Sequence, residues 1–372
     1  MPVRNDLDLG QRTTDVILIG DGIIGLSTAL ELDRQGVHCV VFGTERSGVA
    51  SFAAAGLLAP SIGQVPPAAR PFFEANMRLY PALLATLAEV DPTLSLVSGL
   101  VVVEGDAGGH APAIPAPHLT SEEVQRLEPS LEAPRGAVVY PTDGAIDNVR
   151  LMRALRLTAE RRPGIQLVAE APVESIDVRP GQVVVSTESG HRVTAARAIL
   201  GAGAWSPQIQ GLPRPVPVFP LKGQMLALGV CPIRRAVVGN GVYLVPRGNE
   251  TVIGSPSERA GFDVSTSPQA IEALRVAATT LCPALAASES ARAWAGVRPA
   301  TPDMLPILGP DPDHPELLYA TGHSRNGILL APATAKVLAE LVAGDQPSFD
   351  LSGFGIARFD ASPGATNLVP DV

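Results

Sequence analysis

The sequence is poor in charge, in aromatic side chains and in cysteine, and each shortage narrows what the chain can be. Charged residues make up 17% and aromatics 4% against 46% hydrophobic, so disorder is excluded and a large core is available. Lysine and arginine number 28 against 37 aspartates and glutamates. The resulting net charge of −9 lacks the basic face of a nucleic-acid binder. The three cysteines, Cys39, Cys231 and Cys282, form no CxxC pair and are odd in number. No disulfide framework and no metal site are expected, and a reducing compartment fits. Cys39, inside HCVVF, reads as core; Cys231 and Cys282 each precede a proline and read as turns. There is no uninterrupted apolar window of the about 18 residues a membrane span needs. The first thirteen residues, MPVRNDLDLGQRT, lack the apolar stretch of a signal peptide. A soluble, cytoplasmic protein without a membrane span is expected.

What is present begins with DVILIGDGIIGLSTALELDRQGVHCVVFG. Residues 15–19 are an apolar, β-branched run, read as a buried strand. Gly20, Gly22 and Gly25 follow in GxGxxG spacing, and residues 23–35 place Ile24, Leu26, Ala29, Leu30 and Leu32 at helical intervals. Gly36 ends the helix, and residues 38–42 make a second strand. A glycine turn between strand and helix lets the backbone approach a pyrophosphate, and the helix N-terminus offers free N–H groups. GxGxxG alone is a weak signal; in this strand–helix context it predicts dinucleotide binding. The fingerprint expects an acid about 20 residues on, for the ribose hydroxyls. Gly43 stands there, and the next acid is Glu45. Either Glu45 reaches back, or the contact is missing and the cofactor is held less tightly. Asp21 puts a negative charge beside the phosphate loop, at little cost if it points outward.

Further along, a long helix is expected over 70–89 and an exposed Pro/Gly-rich loop over 105–118. Thr120 and Glu123 have capping-box spacing for a short helix. Residues 144–164 read as a helix capped near Asp147. Strand-like runs follow from QLVAEAPVESIDVR to GAGAW and again over 215–263, then helices over 268–282 and from about Ile328 to Ala343. The order implies a discontinuous α/β domain with a mainly antiparallel β domain inserted. The expected division is 14–85, 140–212 and 290–345 for the first, 86–139 and 213–289 for the second, and terminal extensions at 1–13 and 346–372.

Six segments carry a resemblance: SFAAAGLLAP (51–60), GAGAWSP (201–207), LKGQM (221–225), VYLVPR (242–247), WAGVRPATPD (294–303) and GHSRNGILLAPATAKVLAELV (322–342). In this order they closely resemble the bacterial glycine oxidases of thiamine-pathway type, within the D-amino acid oxidase superfamily. The likeness runs from about residue 14 to about 345. It implies an FAD-binding Rossmann-like domain with the inserted β-rich substrate domain.

The resemblance also implies site residues. Gly20, Gly22, Ile23, Ile24 and Gly25 would hold the FAD pyrophosphate. Ser51, Ala54, Ala55, Gly56 and Leu57 would run beside the flavin, with Gly201, Gly203 and Trp205 also at the cofactor. Val173 would meet the adenine end. Arg325, Asn326, Gly327 and Ile328 would lay a helix start against the flavin, where its dipole favours negative charge. Gly296 stands about where related sarcosine oxidases carry the cysteine that attaches flavin, so FAD is expected to be non-covalent. Arg298 would pair with the substrate carboxylate, for which its planar fork is suited, with Tyr243 donating a second bond and Arg325 nearby. A structural ion pair for Arg298 or Arg325, and ordinary strand packing for Tyr243, are the plainer alternatives. His323 reads as a satisfied structural histidine, and Lys222 reads equally well as a solvated strand-end lysine. Ser257 stands where a glycine oxidase can carry a bulky apolar residue, giving a more polar or more open pocket.

The implied reaction is oxidative deamination of glycine or another small (D-)amino acid. It yields an imine or 2-oxo acid, ammonia and hydrogen peroxide, with molecular oxygen as electron acceptor and a link to thiamine synthesis. A homo-oligomer is expected. The alternatives are a flavin amine dehydrogenase with another acceptor, and a non-catalytic flavin-binding protein.

Overall fold

The computed structural model describes residues 12–63, 65–105, 114–289 and 291–360. Two sheets organise it. The first has eight strands. Its order is β16 (Ile307–Pro310), β17 (Leu317–Thr321), β10 (Arg192–Leu200), β1 (Arg12–Ile19), β2 (Cys39–Phe42) and β7 (Ile165–Val168). β8 (Val173–Arg179) pairs with β9 (Gln182–Thr187), and β9 with β10. The strands β17, β10, β1, β2 and β7 run parallel. Side chains alternate along β1 as the pleat demands. Val16 and Leu18 pack with the helices α1 (Ile23–Arg34), α3 (Arg70–Leu87), α5 (Asn148–Glu160) and α7 (Gly327–Ala343). Ile17 and Ile19 pack against the layer built from β8, β9 and β10. Residues 16–19 of β1 are therefore buried on both faces, which is why VILI is continuously apolar.

The second sheet has nine strands. Its order is β15 (Ala291–Ala300), β11 (Phe219–Leu228), β14 (Glu250–Gly254), β13 (Val242–Arg247), β12 (Ala236–Gly239), β4 (Val97–Val103), β6 (Ala137–Ala145) and β3 (Leu57–Leu58). β5 (His118–Leu119) pairs with β6. One face packs on α6 (Pro268–Leu281) through Leu226, Leu228, Leu244 and Ile253. The other turns Met225, Tyr243 and Val245 toward Ala55 and Ile62.

Helix signals in the sequence have physical counterparts here. Thr120 and Glu123 form the capping box of α4 (Ser121–Leu127). Asp147 accepts from the backbone N–H groups of Val149 and Arg150, both at 3.1 Å, so α5 starts at Asn148 rather than at 144. The second sheet takes in 57–58, 140–145 and 291–300, segments that sequence order had suggested for the first domain. The reason is long-range pairing: β15 lies antiparallel to β11 over ten residue pairs, Phe219↔Ala300 through Leu228↔Ala291. Most of the expected 105–118 loop and nearly all of the N-terminal extension lie outside the described residues, as does the C-terminal extension beyond 360.

The stretch Ser324–Ala343 is long and apolar enough to cross a membrane by length and composition. Its helix α7 sits in the core against α1 and α3. Pro332 inside α7 has no N–H for the carbonyl of Ile328. The Tyr80 hydroxyl donates to that carbonyl instead, at 2.5 Å, and Asn76 Oδ1 accepts from the Ala333 N–H at 2.9 Å. Tyr80 and Asn76, both buried on α3, thus fix the first turns of α7.

Candidate active site

One cavity of about 1580 Å³ opens between the two sheets. The glycine turn forms part of its wall. Gly20 has φ +117°, and a Cβ there would stand 2.4 Å from the Gly201 carbonyl oxygen. Gly22 is the N-cap of α1 and makes no side-chain cap bond. The Ile23 N–H is met by Ser51 Oγ at 3.0 Å, and Gly22, Ile23, Ile24 and Ser51 all line the cavity. Gly25 does not line it. A Cβ on Gly25 would lie 1.9 Å from the Gly20 carbonyl oxygen, so Gly25 serves the close packing of helix on strand rather than ligand contact.

The segment 54–57 lines the same cavity and is held from behind. Arg247, buried at the end of β13, donates to the carbonyls of Ala54 and Ala55 (both 3.1 Å) and to Asn148 Oδ1 (2.6 Å). Asn148 Nδ2 donates to the Ser51 carbonyl at 2.8 Å. Burial lowers the Arg247 pKa from its ordinary value. Sequence reasoning took VYLVPR for its tyrosine and missed this arginine. Gly56 has φ +85° and would strike the Ile146 carbonyl if it carried a Cβ.

Strand β15 enters from the second sheet. The Val297 N–H bonds the Gly48 carbonyl at 2.9 Å, and Gly296 packs so tightly that a Cβ would stand 2.3 Å from Ala53 Cβ. A cysteine cannot be seated at 296 on this backbone, and none of Cys39, Cys231 and Cys282 lines the cavity. Burial drives the Cys39 and Cys282 thiols up to about 12 and about 11, which keeps them protonated.

Arg298 follows on the same strand. Its guanidinium lies over Gly223, whose α-carbon leaves it the space, and donates to Ser255 Oγ and to the Pro256 carbonyl at 3.2 Å. The Tyr243 hydroxyl also reaches Ser255 Oγ, at 3.2 Å. Arg325, from the turn before α7, donates Nη2 to Ser257 Oγ at 2.8 Å, while its buried Nε has no partner. Burial, and then the charge of Arg298, lower the Arg325 pKa. Among the described residues no carboxylate pairs with Arg298 or Arg325. Two guanidinium groups facing one cavity without an anion make a site for an acidic ligand.

The remaining expected residues fall on the same wall: Val173, Gly201, Gly203, Trp205, Gly296, Asn326, Gly327 and Ile328. Trp205 stacks on Phe262 with centroids 5.2 Å apart, and Arg46 covers its ring at 5.4 Å. His323 is buried with Nε2 3.2 Å from Thr334 Oγ1, and burial lowers its pKa to about 3, so it stays neutral. Lys222 is not a solvated strand-end lysine. It is 4% exposed, and its Nζ donates to Asp263 at 2.6 Å. Glu45 does not reach back: it is exposed and absent from the cavity wall. Asp21 is among the residues lining the cavity, and its carboxylate is held by Arg156 rather than left free in solvent.

These features fit FAD. The glycine cradle and the N-terminus of α1 suit a pyrophosphate, the 54–57 segment and the start of α7 offer a wall for a flat ring, and an uncompensated pair of arginines waits for an acid beside it.

The comparisons agree. The family model described as FAD dependent oxidoreductase matches residues 15–341. The glycine oxidase of Pseudomonas aeruginosa is 33% identical over 90% of this chain and 96% of its own. The bifunctional protein ThiO/ThiG of Synechocystis is 34% identical over 94% of this chain. The chain spans 54% of that relative, about half its length. The crystal structure of glycine oxidase from Geobacillus kaustophilus superposes with a TM-score of 0.85 at 30% identity, covering 94% of this chain and 99% of the other. The glycine turn, the 54–57 segment and the two arginines line one cavity within the matched residues 15–341, and the chain belongs to the FAD dependent oxidoreductase family, with FAD as its cofactor.

Proposed function

We propose that this protein oxidises the amine of a small amino acid, glycine foremost, to the imine, which water converts to 2-oxo acid and ammonia. The observation that supports it most strongly is the pairing of Arg298 and Arg325 without a carboxylate partner beside the Tyr243 hydroxyl. Bound FAD supplies the two-electron acceptor for the α-carbon hydrogen, and molecular oxygen is proposed to take the electrons on as peroxide. The first sheet with its helices would hold the cofactor and the second sheet the substrate.

Arg298 binds the substrate carboxylate through its fork, and Ser255 and the Pro256 carbonyl orient that fork before substrate arrives. Tyr243 donates its hydroxyl to the same carboxylate. Arg325, held by Ser257, adds a second positive charge and draws an acid rather than an amine alone. None of the nearby candidate bases is free: His323 is neutral and turned to Thr334, Lys222 is tied to Asp263 off the cavity wall, and the wall carboxylate Asp303 is paired with Arg358. The amine therefore has to arrive neutral, its lone pair assisting departure of the α-hydrogen, and positioning does the rest. Ser257 leaves this end of the pocket polar.

The experiment is anaerobic mixing of the holoprotein with glycine, sarcosine and D-alanine in turn, following the visible absorbance of the flavin. Bleaching by glycine with peroxide on readmission of air is the expected result. A flavin that none of the three bleaches refutes the small-amino-acid reading, and bleaching without peroxide refutes oxygen as acceptor.

A further inference from the structure

We infer that Asp21 supplies the carboxylate for the adenosine ribose of FAD, in place of the acid that a dinucleotide fold normally carries at the end of its second strand. The inference rests on FAD as cofactor, and not on which amine is oxidised.

The end of β2 and the glycine turn are neighbours. Ile19 pairs with Phe42 in register, and the Gly20 N–H bonds the Phe42 carbonyl at 2.8 Å. Asp21 in the turn and Gly43 after β2 therefore share one small volume. A Cβ on Gly43 would stand 2.2 Å from Asp21 Oδ2, 2.3 Å from its Cγ and 2.9 Å from its Cβ. The carboxylate of Asp21 fills the space in which a side chain at 43 would begin. Residue 43 is fixed there by its own backbone, its N–H on the Val168 carbonyl (2.9 Å) and its carbonyl accepting from Ala171 (3.0 Å). Glycine at 43 is thus what Asp21 requires, not simply a lost ligand.

Asp21 is one of the residues lining the cavity, together with its neighbours Thr44, Ala171 and Val173. Arg156, from α5, pairs with Oδ2. An ionised carboxylate has about four acceptor sites, so this ion pair leaves Oδ1 for a sugar hydroxyl. Arg156 also offsets a negative charge set next to a pyrophosphate, and acts as a positioning residue. Glu174 and Glu188 line the cavity too and are the rival acids; neither occupies the position beside β2.

The test uses apoprotein titrated with FAD by flavin fluorescence, and calorimetry with ADP against 2′,3′-dideoxyadenosine diphosphate. A hydrogen bond to a charged group is worth about 10- to 100-fold in Kd. Wild type should prefer ADP by a factor in that range, and Asp21→Asn should weaken FAD similarly and abolish the preference. The exchange Asp21→Gly with Gly43→Glu should restore both, and it keeps the test decisive if Asp21→Asn fails to fold. Glu174→Gln should leave the preference intact. The inference is overturned if wild type shows no preference, if Asp21→Asn weakens both nucleotides equally as a purely structural ion pair would, if Glu174→Gln removes the preference, or if the exchange does not rescue.

Discussion

Replacing Arg298 by alanine should raise the KM for amino acid with little change in bound FAD. Truncating one partner of a buried, hydrogen-bonded charge pair costs about 2–5 kcal/mol. The lower half of that range applies here, because Arg325 faces the same cavity and keeps one cation for the carboxylate. About 2–3 kcal/mol corresponds to roughly 30- to 150-fold in kcat/KM. The fold should bear the loss: of the acceptors Arg298 serves, Ser255 lies on the cavity wall and the Pro256 carbonyl is in the next residue of the same turn. Arg298→Lys retains a charge without the fork and should recover only part of the activity. The assay is peroxide formation against substrate concentration, with FAD content read from absorbance. Glycolate, a carboxylate without an amine, serves as competitive inhibitor and should weaken in parallel. A KM within twofold of wild type for glycine, sarcosine and D-alanine, at full FAD content, would refute the assignment of Arg298.

Gly25→Ala should give a protein that cannot close the glycine turn, because its Cβ meets the Gly20 carbonyl at 1.9 Å; an FAD affinity equal to wild type in titration would contradict this. Tyr80→Phe leaves the Ile328 carbonyl without its donor, so urea unfolding should show a loss of about 1–3 kcal/mol. For His323 the folded pKa of about 3 lies below the ordinary 6.5, so only the unfolded chain takes up this proton between those values. Stability falls as pH drops through that window, by about 1.4 kcal/mol per pH unit for this one group. His323→Gln should flatten the difference between urea midpoints at pH 5 and pH 7, and an unchanged difference would assign the acid sensitivity elsewhere.

The β1–α1–β2 unit was legible because its signals are local: an apolar run, three glycines and a helical period within thirty residues. The antiparallel partner of WAGVRPATPD was not, since β11 lies about seventy residues upstream and nothing in either segment names the other. That pairing moved residues 291–300 into the second sheet. Arg298, Tyr243 and Arg325 were legible as a group only through resemblance; their shared contact with the Ser255–Ser257 turn depends on three distant segments. Arg247 was missed for the same reason, as its partners are backbone carbonyls more than a hundred residues away. Gly43 could be read only as a missing acid, because the crowding of its Cβ position by Asp21 is a contact in space that one dimension does not show.

Strand β15 carries a consequence for how such a site can change. Val297 is bonded to Gly48, Gly296 is seated against Ala53, and Arg298 is the next residue along. On the proposed reading, the backbone that carries the anchor for the substrate's acid group is set off from the Gly48–Ala53 wall by one or two peptide units. The base of the Arg298 side chain is therefore registered by main chain. Variation in what is accepted would then fall to wall positions that do not hold Arg298 or Arg325, such as Met304.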